Sequence, residues 1–399
     1  MSRLQSASAS IREWLEGLRQ RLRDTRRLAA SDDDGEQLPL RAELFSLEQM
    51  EAHGKALAAQ HRLSSGARGD LLLKRLASNE ATLRETAAVL AEAVKARQRI
   101  APAGEWLLDN FYLIEEQIRT ARQHLPAAYS RELPRLAEGP SANLPRVYDL
   151  ALNAISHGDG RIDAEILGRF ITAYQTLEPL ALGELWAIPI MLRLALIENL
   201  RRVGAHITAT RQHLDQAQDW ADRMMAMAES DPKSLILVIA DMARSDPPMV
   251  STFVAELARR LQGHGPALAL PLTWIEQRLA ESSQTIEQLV LQENQQQAAD
   301  QVSISNSIGS LRLLGALDWR VFVETMSKVE QVLREDSDGH GDGDYAGMDF
   351  ATRDRYRHAI DTLARCSPHA EIDIARAAVA LSRLARRQHG DGDHRGHVG

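Results

Sequence analysis

With a single cysteine, Cys366, in 399 residues, the chain can form no internal disulfide, as expected of a protein from a reducing compartment. Aromatic residues make up only 5% of the chain, and β-branched alternating runs are scarce, so there is little material for strands. Long uncharged apolar runs are also missing. The most apolar stretch, Gly183 to Arg202, is interrupted by Glu184, Arg193 and Glu198. Its uncharged window, Leu185 to Leu192, is far short of the roughly 20 residues a spanning helix needs. Met1 to Arg27 lacks the continuous apolar core of a secretory signal. Basic residues are not in surplus: 47 Lys and Arg against 55 Asp and Glu leave a net charge of −8. That balance argues against a nucleic-acid binder, because phosphate binding needs cations. No glycine-rich phosphate loop precedes any helical segment. These absences place the chain in the cytoplasm.

What remains is helix. Residues 11–28 form an Arg-rich amphipathic pattern with Trp14, Leu15, Leu18 and Leu22 on one side. This helix suits either anionic lipid or the rest of the chain. Further helical periodicity covers 43–62, 70–98, 104–124, 145–156, 163–177, 183–204, 206–229, 233–244 and 249–262. It continues over 272–299, 302–315, 318–335, 349–365 and 369–388. Asp231-Pro232 and Ser367-Pro368 pair a capping oxygen with a proline at the first helical position, and Asp318 caps the segment holding Trp319, Phe322, Val323 and Met326. In the Gly183–Arg202 stretch, Trp186, Ile190, Leu194 and Ile197 share one face while Arg193 and Arg201 fall elsewhere. This is the pattern of a buried helix, bent or started at Pro189. The expected fold is all-α, an irregular multi-helix bundle or superhelix, with no fixed-period repeat. The divisions are an Arg-rich helix at 1–30, an acidic linker at 31–40 and a main helical module at 41–335. A Gly/Asp-rich loop at 336–347, C-terminal helices at 348–388 and a flexible tail at 389–399 follow.

Several segments invite a chemical reading, and each has a plainer competitor. Asp338, His340, Asp342, Gly343 and Asp349 match positions of a calcium loop, but His replaces a carboxylate or amide and the last ligand is Asp rather than Glu. A solvated loop is expected. His389, His394 and His397 have metal-ligand chemistry but no folded surroundings to orient them. Asp342-Gly343-Asp344 and Asp391-Gly392-Asp393 imitate the paired aspartates of glycosyltransferases, yet no strand adjoins either. Neither a metal nor a cofactor site is expected, and no catalytic residue is assigned. Trp106, Phe111, Tyr112 and Ile114 suggest sugar stacking, with Asn110 and Gln117 nearby, but core packing is the expectation for aromatics at helical spacing. Glu115 and Glu116 point about 100° apart, unlike an acid–base pair. The cluster Arg353, Asp354, Arg355, Tyr356 and Arg357 is the candidate inter-module contact, its guanidinium groups suited to carboxylates or phosphates. Internal pairing with nearby acids competes with that role.

Five stretches carry a family resemblance: the Gly183–Arg202 run, Glu105-Trp106-Leu107-Leu108-Asp109-Asn110-Phe111-Tyr112 with its continuation to Arg119, Leu144-Pro145-Arg146-Val147-Tyr148-Asp149-Leu150, Val302 to Arg312, and Met348 to His358. In this order they resemble the N-terminal region of the cyclic β-1,2-glucan synthases, over roughly residues 40 to 388. The resemblance implies a parent enzyme of the bacterial inner membrane that uses UDP-glucose with a divalent metal. It also implies glycosyltransferase and phosphorylase-like modules as partners, with the chain at the cytoplasmic face and touching membrane only through those modules. His397-Val398-Gly399 falls about where the family continues toward its first membrane helices. The expectation is a non-catalytic scaffold module, inactive alone. The alternative is a free-standing helical interaction protein that regulates glucan synthesis.

Overall fold

The computed structural model describes residues 39–64, 71–335 and 345–389, and among them it holds α-helices and no strand. The all-α expectation holds. The first helices are α1 (Leu47–Gln60), α2 (Leu71–Lys95), α3 (Pro102–Asp109), α4 (Phe111–His124), α5 (Ala127–Glu132), α6 (Arg146–His157) and α7 (Ala164–Tyr174). They lead to α8 (Leu182–Ser230), whose 49 residues run for about 74 Å at the usual helical rise. Then come α9 (Leu235–Ser245), α10 (Ser251–Leu261), α11 (Ala269–Ala280), α12 (Ile286–Ala316) and α13 (Trp319–Met326). The last are α14 (Lys328–Arg334), α15 (Phe350–Arg365) and α16 (Glu371–His389). No described helix is long and apolar enough to cross a membrane. The helix expected at 11–28 and the linker after it lie outside the described residues, as do most of the Gly/Asp-rich loop and the tail.

Apolar side chains of the described residues gather into three cores. The first joins α2, α3, α4, α6 and α7 to the early part of α8, through residues such as Leu83, Leu107, Ile155, Phe170 and Met191. The second packs Ala217, Ala221 and Met224 of α8 against Met242, Phe253, Leu257 and Ile275. The third is small, with Leu333, Tyr345, Ile360, Ala375 and Val379 drawn from around α14, α15 and α16. Helices α8 and α12 run through the first two cores in opposite senses. α8 serves the first core up to Ile207 and the second from Ala217, whereas α12 serves the second at Ile286 and Leu289 and the first from Ile304.

Where these two helices pass between cores, both turn polar. No large apolar residue lies between Leu291 and Val302 of α12. Buried Asp300 accepts from Arg41 Nη2 at 2.6 Å and faces His206 Nδ1 at 3.1 Å. That hydrogen bond raises the His206 pKa against the opposing effect of burial. Glu293 accepts from Thr252 Oγ1 at 2.7 Å and Gln297 Nε2 at 2.9 Å. The buried carboxylates Asp300 and Glu293 thus each find donors, as buried polar atoms must.

Helix α8 is buried more completely than one apolar face requires: every residue from Ile190 to Leu200 is buried. A helix enclosed on all sides must spend its polar residues on internal partners. Arg193, read from the sequence as lying off the apolar face, is buried and donates from Nε to Gln117 Oε1 at 2.7 Å. Glu198 is 0% exposed. Arg75 grips it from α2 with Nη2 at 2.7 Å and Nε at 3.1 Å, Asn79 donates at 2.8 Å, and Arg201 and Arg202 each donate at 2.9 Å. Burial opposes ionisation of Glu198, but the Arg75 hydrogen bond and the three guanidinium charges override it and hold the carboxyl far below its usual range. Close backbone approach appears at Gly54 of α1, where a Cβ would sit 2.7 Å from the Phe170 carbonyl oxygen of α7.

Several boundaries differ from the sequence expectation. The segments 183–204 and 206–229 are one helix, and Pro189 lies inside it rather than at its start. Packing around the proline outweighs its missing N–H. The 104–124 segment breaks at Asn110, whose Nδ2 donates to the Trp106 carbonyl at 2.9 Å and whose Oδ1 accepts from Arg312 Nη2 at 2.6 Å. The segments 272–299 and 302–315 break earlier, between Ala280 and Ile286. There Ser283 is left-handed at φ 57° and Thr285 opens α12 with a reciprocal cap from Gln288. The 318–335 segment divides at Ser327, whose Oγ caps α14 by accepting from Glu330 N at 3.1 Å. Asp318 and Asp231 cap as expected, accepting from Arg320 and Lys233 N–H groups. Ser367-Pro368 instead forms a turn, because the helix starts at Glu371.

Candidate functional site

The cluster at 353–357 turns out to be the lock of the third core. Arg357 is 0% exposed and donates to Glu330 at 2.7 Å, Glu324 at 3.0 Å and Asp354 at 3.0 Å. Arg353 forks onto Glu324 at 2.9 and 3.1 Å. Glu330 also accepts from Tyr345 and Arg334, each at 2.7 Å. Burial resists its charge, yet these donors keep its pKa below the ordinary value. Tyr356 is half-buried against the same core, and among the five residues Arg355 alone is exposed, reaching Thr352 Oγ1 at 3.2 Å. The internal pairing that competed with a contact role therefore occupies Arg353, Asp354 and Arg357. The acids Glu324 and Glu330 were not singled out from sequence, because the turn at Ser327 between α13 and α14 hides that they converge.

Trp186 belongs to the rim of the first core. It is half-buried, and its ring meets Phe350 of α15 edge-on with centroids 6.5 Å apart. The buried indole Nε1 has no hydrogen-bond partner among the described residues. Asp349, the last position of the calcium-loop pattern, caps α15 by accepting from Thr352 N at 2.7 Å. The remaining positions of that pattern, 338–343, both Asp-Gly-Asp motifs and His394 and His397 lie outside the described residues. Glu115 pairs with Arg84 at 3.4 Å, and Glu116 is exposed on another side of α4.

Core packing, the expectation for the aromatics around Asn110, fails for two of them. Ile114 is buried and Phe111 half-buried, but Trp106 is 42% exposed and Tyr112 64%. The break at Asn110 explains this. It separates α3 from α4, so Leu107 of one and Leu113 and Ile114 of the other take the inward positions and leave the two rings outside. Among the described residues every other aromatic is buried or half-buried. Exposed Glu105 and Asp109 lie one turn apart on α3, Tyr112, Glu116 and Arg119 share a face of α4 by helical spacing, and Arg312 of α12 reaches Asn110 between the two helices. The joint is firm, since Asn110 ties the Trp106 backbone to Arg312.

No family model matches the chain. It is 31% identical over 350 residues to the cyclic beta-(1,2)-glucan synthase NdvB of Rhizobium meliloti (strain 1021). The match takes in 87% of this chain and 12% of that protein, so the chain corresponds to one region of a far longer synthase.

Proposed function

We propose that this chain acts as the N-terminal, non-catalytic scaffold module of a cyclic β-1,2-glucan synthase and positions the nascent glucan for the transferase. The parent reaction in this reading transfers glucose from UDP-glucose, with a divalent metal, to the 2-hydroxyl of a growing chain and then closes the ring. The module's partners are the glycosyltransferase and phosphorylase-like modules, at the cytoplasmic face of the inner membrane. The long match to one region of the synthase carries the proposal. The side-chain chemistry supports it: the strongest ionic clusters, around Glu198 and Glu330, are consumed in holding helices together. That is scaffold chemistry.

The test is complementation. A synthase deleted for the matching region is expected to lose glucan production and to regain it when this chain is supplied separately. The purified chain alone, given UDP-glucose and divalent metal, is expected to neither make glucan nor hydrolyse the donor. Turnover that survives stringent purification refutes the non-catalytic assignment, and failure to complement refutes the module.

A further inference from the structure

We propose that the cleft between α2, α3, α8 and α12, where the first two cores meet, is a binding site for a small organic cation, a primary ammonium on a short apolar stem. One void, open to solvent, brings the walls together: α8 faces it from His206 to Leu214 and α12 from Glu293 to Asp300. His206, Thr210 and Leu214 stand four residues apart on α8, and Glu293, Gln296 and Asp300 fall at i, i+3 and i+7 of α12. Each helix therefore turns one stripe to the void. Glu293 carries the inference. It is 5% exposed, yet it accepts only from neutral groups: Thr252 Oγ1 at 2.7 Å, and Ser251 Oγ and Gln297 Nε2 at 2.9 Å each. The cations around the cleft are engaged elsewhere. Arg41 Nη2 and His206 Nδ1 meet Asp300 at 2.6 and 3.1 Å, and Arg211 meets Asp215 at 2.8 Å and the Arg99 carbonyl. The Asp300 hydrogen bond is the chief cause that raises the His206 pKa, with Glu293 a lesser one. A buried carboxylate without its own counter-charge is costly, and an ammonium entering from the open side supplies one.

The rest of the lining selects the occupant. Gln296 and Gln297 spend their amide NH2 groups on Asp300 at 3.2 Å and Glu293 at 2.9 Å. That fixes both amides, because the reverse orientation would set oxygen against carboxylate oxygen, and it leaves two cleft-lining carbonyl oxygens as acceptors. A primary ammonium carries three N–H donors, enough for Glu293 and both carbonyls. The remaining wall is apolar, with Leu90, Ile100, Ala103 and Ile207 all buried. It gives a stem of a few carbons a surface away from water, the usual pairing of an apolar lining with few polar groups in small-molecule sites. An anionic ligand would meet Glu293 instead of a free cation and is repelled. Neither the cleft nor its occupant depends on the module reading.

The experiment titrates the full chain with n-butylammonium chloride by calorimetry. Methylammonium chloride, tetramethylammonium chloride, sodium butanoate and sodium chloride serve as comparisons at constant ionic strength. Saturable n-butylammonium binding is expected, with methylammonium about ten-fold weaker because the buried stem is lost. Tetramethylammonium, which has no N–H, and butanoate, which has the wrong charge, should not bind. Glu293→Gln removes the charge but keeps a carbonyl acceptor for the hydroxyls, and should weaken binding about ten-fold or more. Thr210→Leu, at a half-buried position of the cleft, should block the void and weaken binding as much. Melting curves verify folding, and Thr210→Leu carries the test if Glu293→Gln is not folded. No saturation at millimolar n-butylammonium, or undiminished binding in the folded variants, overturns the site. Butanoate binding, or sodium or tetramethylammonium ions matching n-butylammonium, overturns the ammonium assignment.

Discussion

Replacing Glu198 by alanine removes the acceptor on which five donor groups converge. Asn79, 5% exposed, loses its partner at 2.8 Å, and stranding a buried amide costs about 1–3 kcal/mol. Arg75, Arg201 and Arg202 lose their shared counter-charge, and breaking a buried ion pair typically costs about 3–5 kcal/mol. Their side chains are 31%, 15% and 17% exposed, so partial rehydration offsets some of this. The expected total is about 3–4 kcal/mol at neutral pH. Urea denaturation followed by helical circular dichroism measures it, taken from the first transition because three cores need not unfold together. The sign with pH is fixed. A depressed carboxyl pKa stabilises the fold above the unfolded value of 4.5, and the contribution declines as pH falls below that. The gap between wild type and Glu198→Ala should therefore narrow in acid. Pairing Glu198→Leu with Arg75→Met should recover only the Arg75 share of the loss, since Asn79, Arg201 and Arg202 still lack their acceptor. An unchanged midpoint for Glu198→Ala at pH 7, or a gap that does not narrow in acid, would refute the assignment of Glu198 as the charge hub of α8.

Trp186→Ala should destabilise the chain by about 3 kcal/mol, the low end for a large aromatic because the ring is half-buried. Trp186→Phe should cost under about 1 kcal/mol, since it also removes an unpaired indole donor, and equal losses for the two in thermal melts would contradict the orphaned N–H. Gly54→Ala gains helix propensity but drives a Cβ onto the Phe170 carbonyl. The clash should win by about 1–3 kcal/mol in denaturation midpoints, and a stabilised variant would disprove the close approach. Glu371 accepts from Leu182 N at 3.0 Å, and burial, with Asp361 and Glu184 facing it, raises its pKa to about 7. Its folded form holds the proton more tightly, so stability should fall as pH rises from about 4.5 to 7 and level off above. In Glu371→Gln this part of the pH dependence should vanish from melting curves, and an unaltered profile would exclude the assignment.

Much of the secondary structure was legible in the sequence because helical periodicity and capping oxygens are local. The caps at Asp231 and Asp318 acted as read. Junctions were less legible. Asn110, Ser327 and the turn before Thr285 break helices through side-chain contacts and backbone angles that apolar spacing does not encode. Pro189 stands inside α8, one of the two readings the sequence left open there, and every residue from Ile190 to Leu200 after it is buried.

The sequence by itself determined the helical class, the absence of internal disulfides and the resemblance to one region of a glucan synthase, since composition, periodicity and order of residues are properties of a line. Only the tertiary structure decided where charge and aromatic surface are spent. The basic cluster at 353–357 closes on acids from α13 and α14, Arg193 and Glu198 face inward, and Trp106 and Tyr112 face out. The physical reason is that burial depends on every helix packed around a residue. Periodicity along one helix gives a side chain's direction, but not whether a partner, an apolar core or solvent lies there.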